Sequence, residues 1–175
     1  MKKLVPLLLF ISIAFIGCSV EKQQPPGDLA VSNYLTNNKS DLEYIVSKIE
    51  NYPAVSRIAI YDGEFSTRPH GVLPLLDDTF IATIDRIKLQ ILEIQWCNNE
   101  WQIAEFVLFS SGLVLGGESK SLVYSKSVIT ENIYEDLDKA REDAIAQYTS
   151  QTTSRTFKGY KALGDGWYIY QYIYF

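Results

Sequence analysis

Residues 89–109 read LQILEIQWCNNEWQIAEFVLF. Apolar and polar residues alternate on both sides of Asn98-Asn99, the period of a strand with one covered face. Two successive asparagines tolerate the positive φ that a two-residue connection needs, so the stretch predicts a tight antiparallel hairpin. Folded there, Trp96 faces Trp101, Ile94 faces Ile103, Gln95 faces Gln102 and Glu93 faces Ala104. Farther from the turn Ile91 meets Phe106 and Leu89 meets Leu108, so both faces become apolar toward the open end. That pattern suits a central hairpin whose far end is covered by helices and whose tip projects. The tryptophans at the tip, Trp96 and Trp101, have two readings: a core pair or an exposed binding platform.

Strands and helices alternate around this hairpin. Residues 55–61 (VSRIAIY) alternate as a strand with Arg57 in the middle. Ser110, Ser111 and Gly112 break the central hairpin's second strand, and 113–125 (LVLGGESKSLVYS) reads as another hairpin turning at Gly116, Gly117 and Glu118. These glycines are no phosphate loop, because Glu118 stands where the phosphate-binding lysine belongs and a strand follows instead of a helix. Residues 155–163 and 166–175 flank Gly164-Asp165 as a closing hairpin rich in tyrosine. Three helices are marked. Ser40 and Glu43 form a capping box ahead of Leu42, Ile45, Val46, Ile49 and Tyr52, and Pro53 ends that helix. Asp77 or Asp78 caps a second, with Phe80, Ile81, Ile84 and Ile87 inward. The third, over 130–148, has Ile133, Leu137, Ala140, Ala144, Ile145 and Tyr148 as its stripe. The expected fold is α+β: an antiparallel sheet of about six strands built from hairpins, with two or three helices packed mainly on one face.

The front of the chain carries an address. Residues 1–18, MKKLVPLLLFISIAFIGC, open with Lys2 and Lys3 and continue with a run over 4–16 that is apolar apart from Ser12. Thirteen helical residues cover about 20 Å, short of a ~30 Å hydrocarbon core, so the run reads as an export signal rather than a span. The ending Phe15-Ile16-Gly17-Cys18 resembles the lipobox of bacterial lipoproteins, with Phe15 departing from the usual Leu. That resemblance implies cleavage between Gly17 and Cys18, acylation of Cys18, and a bilayer as partner through that lipid. Ser19 is similar to the residue that sends such proteins to the outer membrane, so the implied location is the envelope, on the outer membrane facing the periplasm. Residues 18–39, polar around Pro25-Pro26-Gly27, read as the lipidated cysteine and a flexible tether with an r.m.s. reach of ~25 Å. Residues 40–175 are then a single domain.

Composition narrows the function. The net charge of −5 becomes −7 once Lys2 and Lys3 leave with the signal. Such acidity disfavours nucleic acid and anionic lipid as partners and mildly favours a basic protein. With Cys18 acylated, Cys97 has no partner in the chain, and one histidine with one cysteine makes no zinc set. No calcium loop is present either, so no metal or cofactor is expected. Candidate partner contacts are Trp96 and Trp101, Arg68 and His70 in the irregular stretch 62–78, and Glu135, Asp138 and Glu142 on the third helix. That helix's acidic outside, running from Glu131 to Asp143, is either a solvated face or a docking face for a cationic partner. The stretch 62–78 is either a contact surface or a cover that packs Val72, Leu73, Leu75 and Leu76 on the core. No catalytic set stands out, although Asp62, Glu64, Glu93 and Glu105 are candidates for a glycosidase carboxylate pair. On the expected register Glu105 lies against Leu92. The leading expectation is a membrane-tethered, non-catalytic protein-binding module, with an inhibitor or immunity type against a basic envelope-active protein as its specific version. A structural or assembly accessory of the envelope is the alternative, and an envelope hydrolase the third.

Overall fold

The computed structural model describes residues 24–53, 55–61, 64–70, 76–89, 91–97, 100–111, 117–148 and 154–175. Chain order is helix α1 (Asp28–Lys48) with a 3₁₀ turn at Ile49–Asn51, strands β1 (Arg57–Tyr61) and β2 (Glu64–Arg68), and helix α2 (Asp78–Arg86). Strands β3 (Ile91–Cys97), β4 (Glu100–Ser111) and β5 (Gly117–Ser125) follow, then helix α3 (Leu137–Tyr148) and the closing strands β6 (Thr156–Gly164) and β7 (Trp167–Tyr174). All seven strands form one antiparallel sheet in the order β2-β1-β3-β4-β5-β7-β6. The architecture is the expected α+β one, with one strand more than the six expected.

Residues 117–125, read as part of a hairpin turning at Gly116, Gly117 and Glu118, are the single strand β5, with Gly117 and Glu118 paired to Tyr174 and Ile173. Another strand comes from the stretch read as irregular. Glu64–Arg68 pairs with β1 and becomes the sheet's edge. Its residues do alternate in burial, with Phe65 half-buried and Thr67 buried, but a single apolar side chain in EFSTR gives too weak a hydrophobic period to read as a strand. Residues 71–75, which include the expected cover residues Val72, Leu73 and Leu75, lie outside the described residues.

The central hairpin has the expected strands and a different register. Trp96 pairs with Trp101, but a bulge then shifts the ladder, so Gln95 faces Ile103, Ile94 faces Ala104, and Glu93 faces Glu105. One inserted residue moves every later side chain to the other face of its strand. It places Ile94, Leu92, Ala104 and Phe106 in the core and removes Glu105 from the apolar face where it was expected. A cross-strand row results: Ile58, Leu92, Phe106, Leu122 and Ile169 sit side by side, all fully buried. Each such side chain contributes about 1.5–3 kcal/mol through burial. Two further differences concern β4 and α3. Strand β4 runs on through Ser110 and Ser111. Helix α3 starts at Leu137 rather than 130, and Ile133 instead makes a bridge to Tyr160 on β6.

The largest correction is at the start. Helix α1 begins at Asp28, so residues 28–39 are a packed helix with Asp28 and Val31 buried, and Ser40 falls in mid-helix instead of capping it. The polar side chains that made this segment look like tether bond back along the helix. Ser32 Oγ donates to the Asp28 carbonyl at 2.9 Å, Thr36 Oγ1 to that of Ser32 at 3.0 Å, and Asn38 Nδ2 to that of Tyr34 at 2.9 Å. Such back-bonding lets Ser, Thr and Asn sit within a helix. The C-terminal half is as expected, with Leu42, Ile45, Ile49 and Tyr52 inward. Helix α2 also matches: Asp77 Oδ1 accepts from the Phe80 N–H at 2.8 Å.

What fixes α1 is a buried charge cluster over β5 and β6. The Asp28 carboxylate accepts from Lys120 Nζ at 2.8 Å, Lys161 Nζ at 2.9 Å and the Leu137 N–H at 3.1 Å. In return Asp138 accepts from the Asp28 N–H at 2.7 Å and from Lys120 Nζ at 2.5 Å. Each helix thus supplies the acidic cap of the other's N-terminus, where the dipole favours a negative charge. Two lysines balance two aspartates, and Lys120 is 0% exposed. Burial alone would raise the Asp28 carboxyl, but Lys120, Lys161 and the Leu137 N–H outweigh it and hold the group below its ordinary value.

Removing one member of a buried ion cluster leaves a charge uncompensated. Asp28→Asn is therefore expected to cost about 3–5 kcal/mol in urea unfolding, and a loss under about 1 kcal/mol would show that Asp138 alone suffices. Helix α3 also lies close on β6, where a Cβ on Gly159 would come within 2.6 Å of Leu137 Cδ1 and 2.9 Å of Phe157 Cζ. Gly159→Ala should cost about 1–3 kcal/mol by the same measurement.

Candidate binding surfaces

Helix α3 carries the first surface. Its N-terminus is set by Asp28 and by Asp136, whose Oδ1 accepts from the Lys139 N–H at 2.9 Å. Leu137 and Ala144 face inward, Asp138 turns to the charge cluster, and Glu142 and Asp143 face solvent. Between this helix and the β6 edge runs a groove of about 410 Å³. Tyr134, Tyr148 and Phe157 supply its aromatic lining, with Tyr134 and Phe157 tilted against one another at 5.7 Å. Glu135, Asp136 and Asp143 stand exposed around it, with Lys139 as the one cation among its lining residues. Three carboxylates against one ammonium, over aromatic rings, suit a cationic side chain with an apolar stem.

The sheet carries the second surface. The side chains of Lys120 and Lys161, which reach the helix N-termini, and the Cα of Gly159 under α3 all belong to one face. The register sends Glu93, Glu105, Ser121, Tyr170 and Tyr160 to the opposite face. Ser121 Oγ donates to Glu105 Oε1 at 2.7 Å, Arg57 Nε lies 3.5 Å from Glu93 Oε1, and the Tyr160 and Tyr170 rings stack at 4.7 Å. Directly opposed like charges cost stability in an antiparallel pair. Burial pushes the Glu105 carboxyl above its ordinary value, Ser121 pulls it back, and Glu93 adds to the rise. Burial also raises the phenols of Tyr160 and Tyr170, with Glu105 contributing to both.

The residues singled out from sequence separate into distinct environments. Trp101 is only 3% exposed, and Trp96 is half-buried with its Nε1 donating to the Val55 carbonyl at 2.9 Å. The pair is core, not a platform. Lys126 Nζ lies 4.3 Å from the Trp101 ring centroid and closes that side. Arg68 and His70 are exposed at the end of the edge strand, far in the strand order from α3. Glu135 and Glu142 are exposed on α3, whereas Asp138 belongs to the buried charge cluster. Gly17 and Cys18 lie outside the described residues, and Cys97 is the last residue of β3. Glu93 and Glu105, two of the four glycosidase candidates, do come together; Glu64 lies on the edge strand, and Asp62 is outside the described residues.

Asp28, Lys120 and Lys161 were missed. A signal existed for Lys120: in SKSLVYS it alternates in phase with Leu122, a charged residue at an apolar position. Among the described residues no group of three or more His, Cys, Asp or Glu could hold a metal ion, and no helix is long and apolar enough to cross a membrane. No family model, curated protein or solved structure matches the chain.

The state of Glu105 has a measurable consequence. A carboxyl raised by folding contributes stability below its unfolded value of ~4.3 and loses it as pH rises through the higher folded value. Glu105→Gln, which keeps an acceptor for Ser121, should therefore melt above the parent at about pH 8, with the gap narrowing toward about pH 3. A gap constant across that range would mean that Glu105 titrates normally.

Proposed function

We propose that this protein is a lipid-anchored, non-catalytic binding module of the bacterial envelope that captures a basic protein. The groove between α3 and the β6 edge carries the proposal. It combines an acidic rim of Glu135, Asp136 and Asp143 with a lining of Tyr134, Tyr148 and Phe157. The mature charge near −7, from −5 less Lys2 and Lys3, supplies a long-range field of the matching sign. Electrostatic complementarity of this kind speeds encounter and selects the partner, while the aromatic lining provides the desolvated contact. Acylation of Cys18 keeps the module at the membrane, where its partner acts. An inhibitor or immunity role against an envelope-active enzyme or toxin is the specific form of this reading.

Capture of basic proteins from an envelope extract by the mature chain tests it. Binding should be strong at low salt and fall steeply as ionic strength shortens the screening length. Glu135→Lys with Asp143→Lys should weaken capture about tenfold, through slower association in the main. Reversal of Glu64, on the far edge strand, should leave it unchanged. Capture that is insensitive both to salt and to the α3 reversal would instead indicate an assembly accessory held by apolar contacts.

A further inference from the structure

The end of the domain where residues 24–27 lead into α1 carries apolar surface that the α3 groove does not use. Leu29, in the first turn of α1, is 74% exposed. On the same end a groove of about 360 Å³ is formed by Pro26 and Ala30, by Tyr34 one turn on, by Ile87 and Lys88 after α2, and by Leu108 of β4. Its lining is mainly apolar. Tyr34 is consistent with that, because its hydroxyl is already engaged, donating to the Ile87 carbonyl at 3.0 Å. Lys88 is exposed and is the one charged residue among those lining the groove.

We infer that this end of the domain rests on the bilayer, with Leu29 and the groove against phospholipid hydrocarbon and the Lys88 ammonium at the phosphates. The inference rests on the lipid anchor at Cys18. Helix α1 begins at Asp28, and Pro26 just before it lies only eight residue steps from Cys18. Fully extended, they span at most about 29 Å. The apolar end is therefore the part of the domain closest along the chain to the anchor. An apolar surface bordered by a lysine is the chemistry of an interfacial contact, since the lysine's charge stays at headgroup level while its stem covers hydrocarbon. A protein partner on the same groove would leave the position of the anchor unexplained. Exposed apolar surface alone does not mark a membrane contact: Val128 is 80% exposed at the other end of α1, beyond Lys126, which pairs with Glu50 at 2.8 Å. That residue serves as the control.

The test uses the lipidated mature chain carrying Cys97→Ser, with a fluorophore on Ala30→Cys or on Val128→Cys. Each is reconstituted in phosphatidylethanolamine–phosphatidylglycerol vesicles whose acyl chains carry bromine. Quenching at position 30 without quenching at position 128 is the expected result. Adding Leu29→Asp should abolish that quenching while the protein still floats with the vesicles. Flotation with both positions unquenched, or with both quenched equally, overturns the inference and leaves the anchor intact. Failure to float at all removes the anchor, and with it both this contact and the proposed membrane tether.

Discussion

Two helix N-termini meet over β5 and β6, and each is capped by an acid from the other. Asp28 accepts the Leu137 N–H, Asp138 accepts the Asp28 N–H, and Lys120 and Lys161 balance the two carboxylates from below. Segments 110 residues apart in the chain are joined there. The cluster sits where an ordinary sheet would carry more leucine, next to Leu122 on β5 and Ile169 on β7. An apolar replacement could hold the layers equally well in energy. What the charges add is position. Asp28 reaches Lys120, Lys161 and the Leu137 N–H together only with α1 and α3 in one arrangement.

Much of the surface follows from that arrangement. Holding α3 against Gly159 of β6 creates the groove whose acids face solvent. Starting α1 at Asp28 shortens the link to the proposed anchor and brings Leu29 and the Pro26 groove toward it. Placing the helices on one face leaves the other to Glu93, Glu105 and the stacked tyrosines of β6 and β7. On that face the opposed carboxylates are eased by Arg57 and Ser121 and by the raised pKa of Glu105.

The alternation of 89–109, the closing hairpin and the cap of α2 were legible because each is a local pattern with one physical reading. The edge strand β2 was not, since its inward positions are Phe65 and a polar Thr67, too little apolar contrast to mark a period. Nor was the register of the central hairpin, which turns on a single bulged residue that no periodicity marks. Residues 28–39 misled for a different reason: Ser32, Thr36 and Asn38 look like tether until their bonds to backbone carbonyls are seen. The acidic α3 surface was visible in sequence, but its separation into a solvent-facing rim and an Asp138 engaged by Lys120 and the Asp28 N–H needed the fold. The aromatic lining draws Tyr134 and Phe157 from segments 23 residues apart, so no local spacing announces it.

The central claim is that the first turns of α1 are structural, held by Asp28, and not part of a tether. Urea unfolding of two chains tests it most directly, one starting at residue 24 and the other at residue 40, where the capping box of Ser40 and Glu43 would begin a domain. The account predicts one cooperative transition for the longer chain. The shorter chain should lack it, because Lys120 and Lys161 lose Asp28 and the core loses Val31. Equal transitions for the two chains would contradict it.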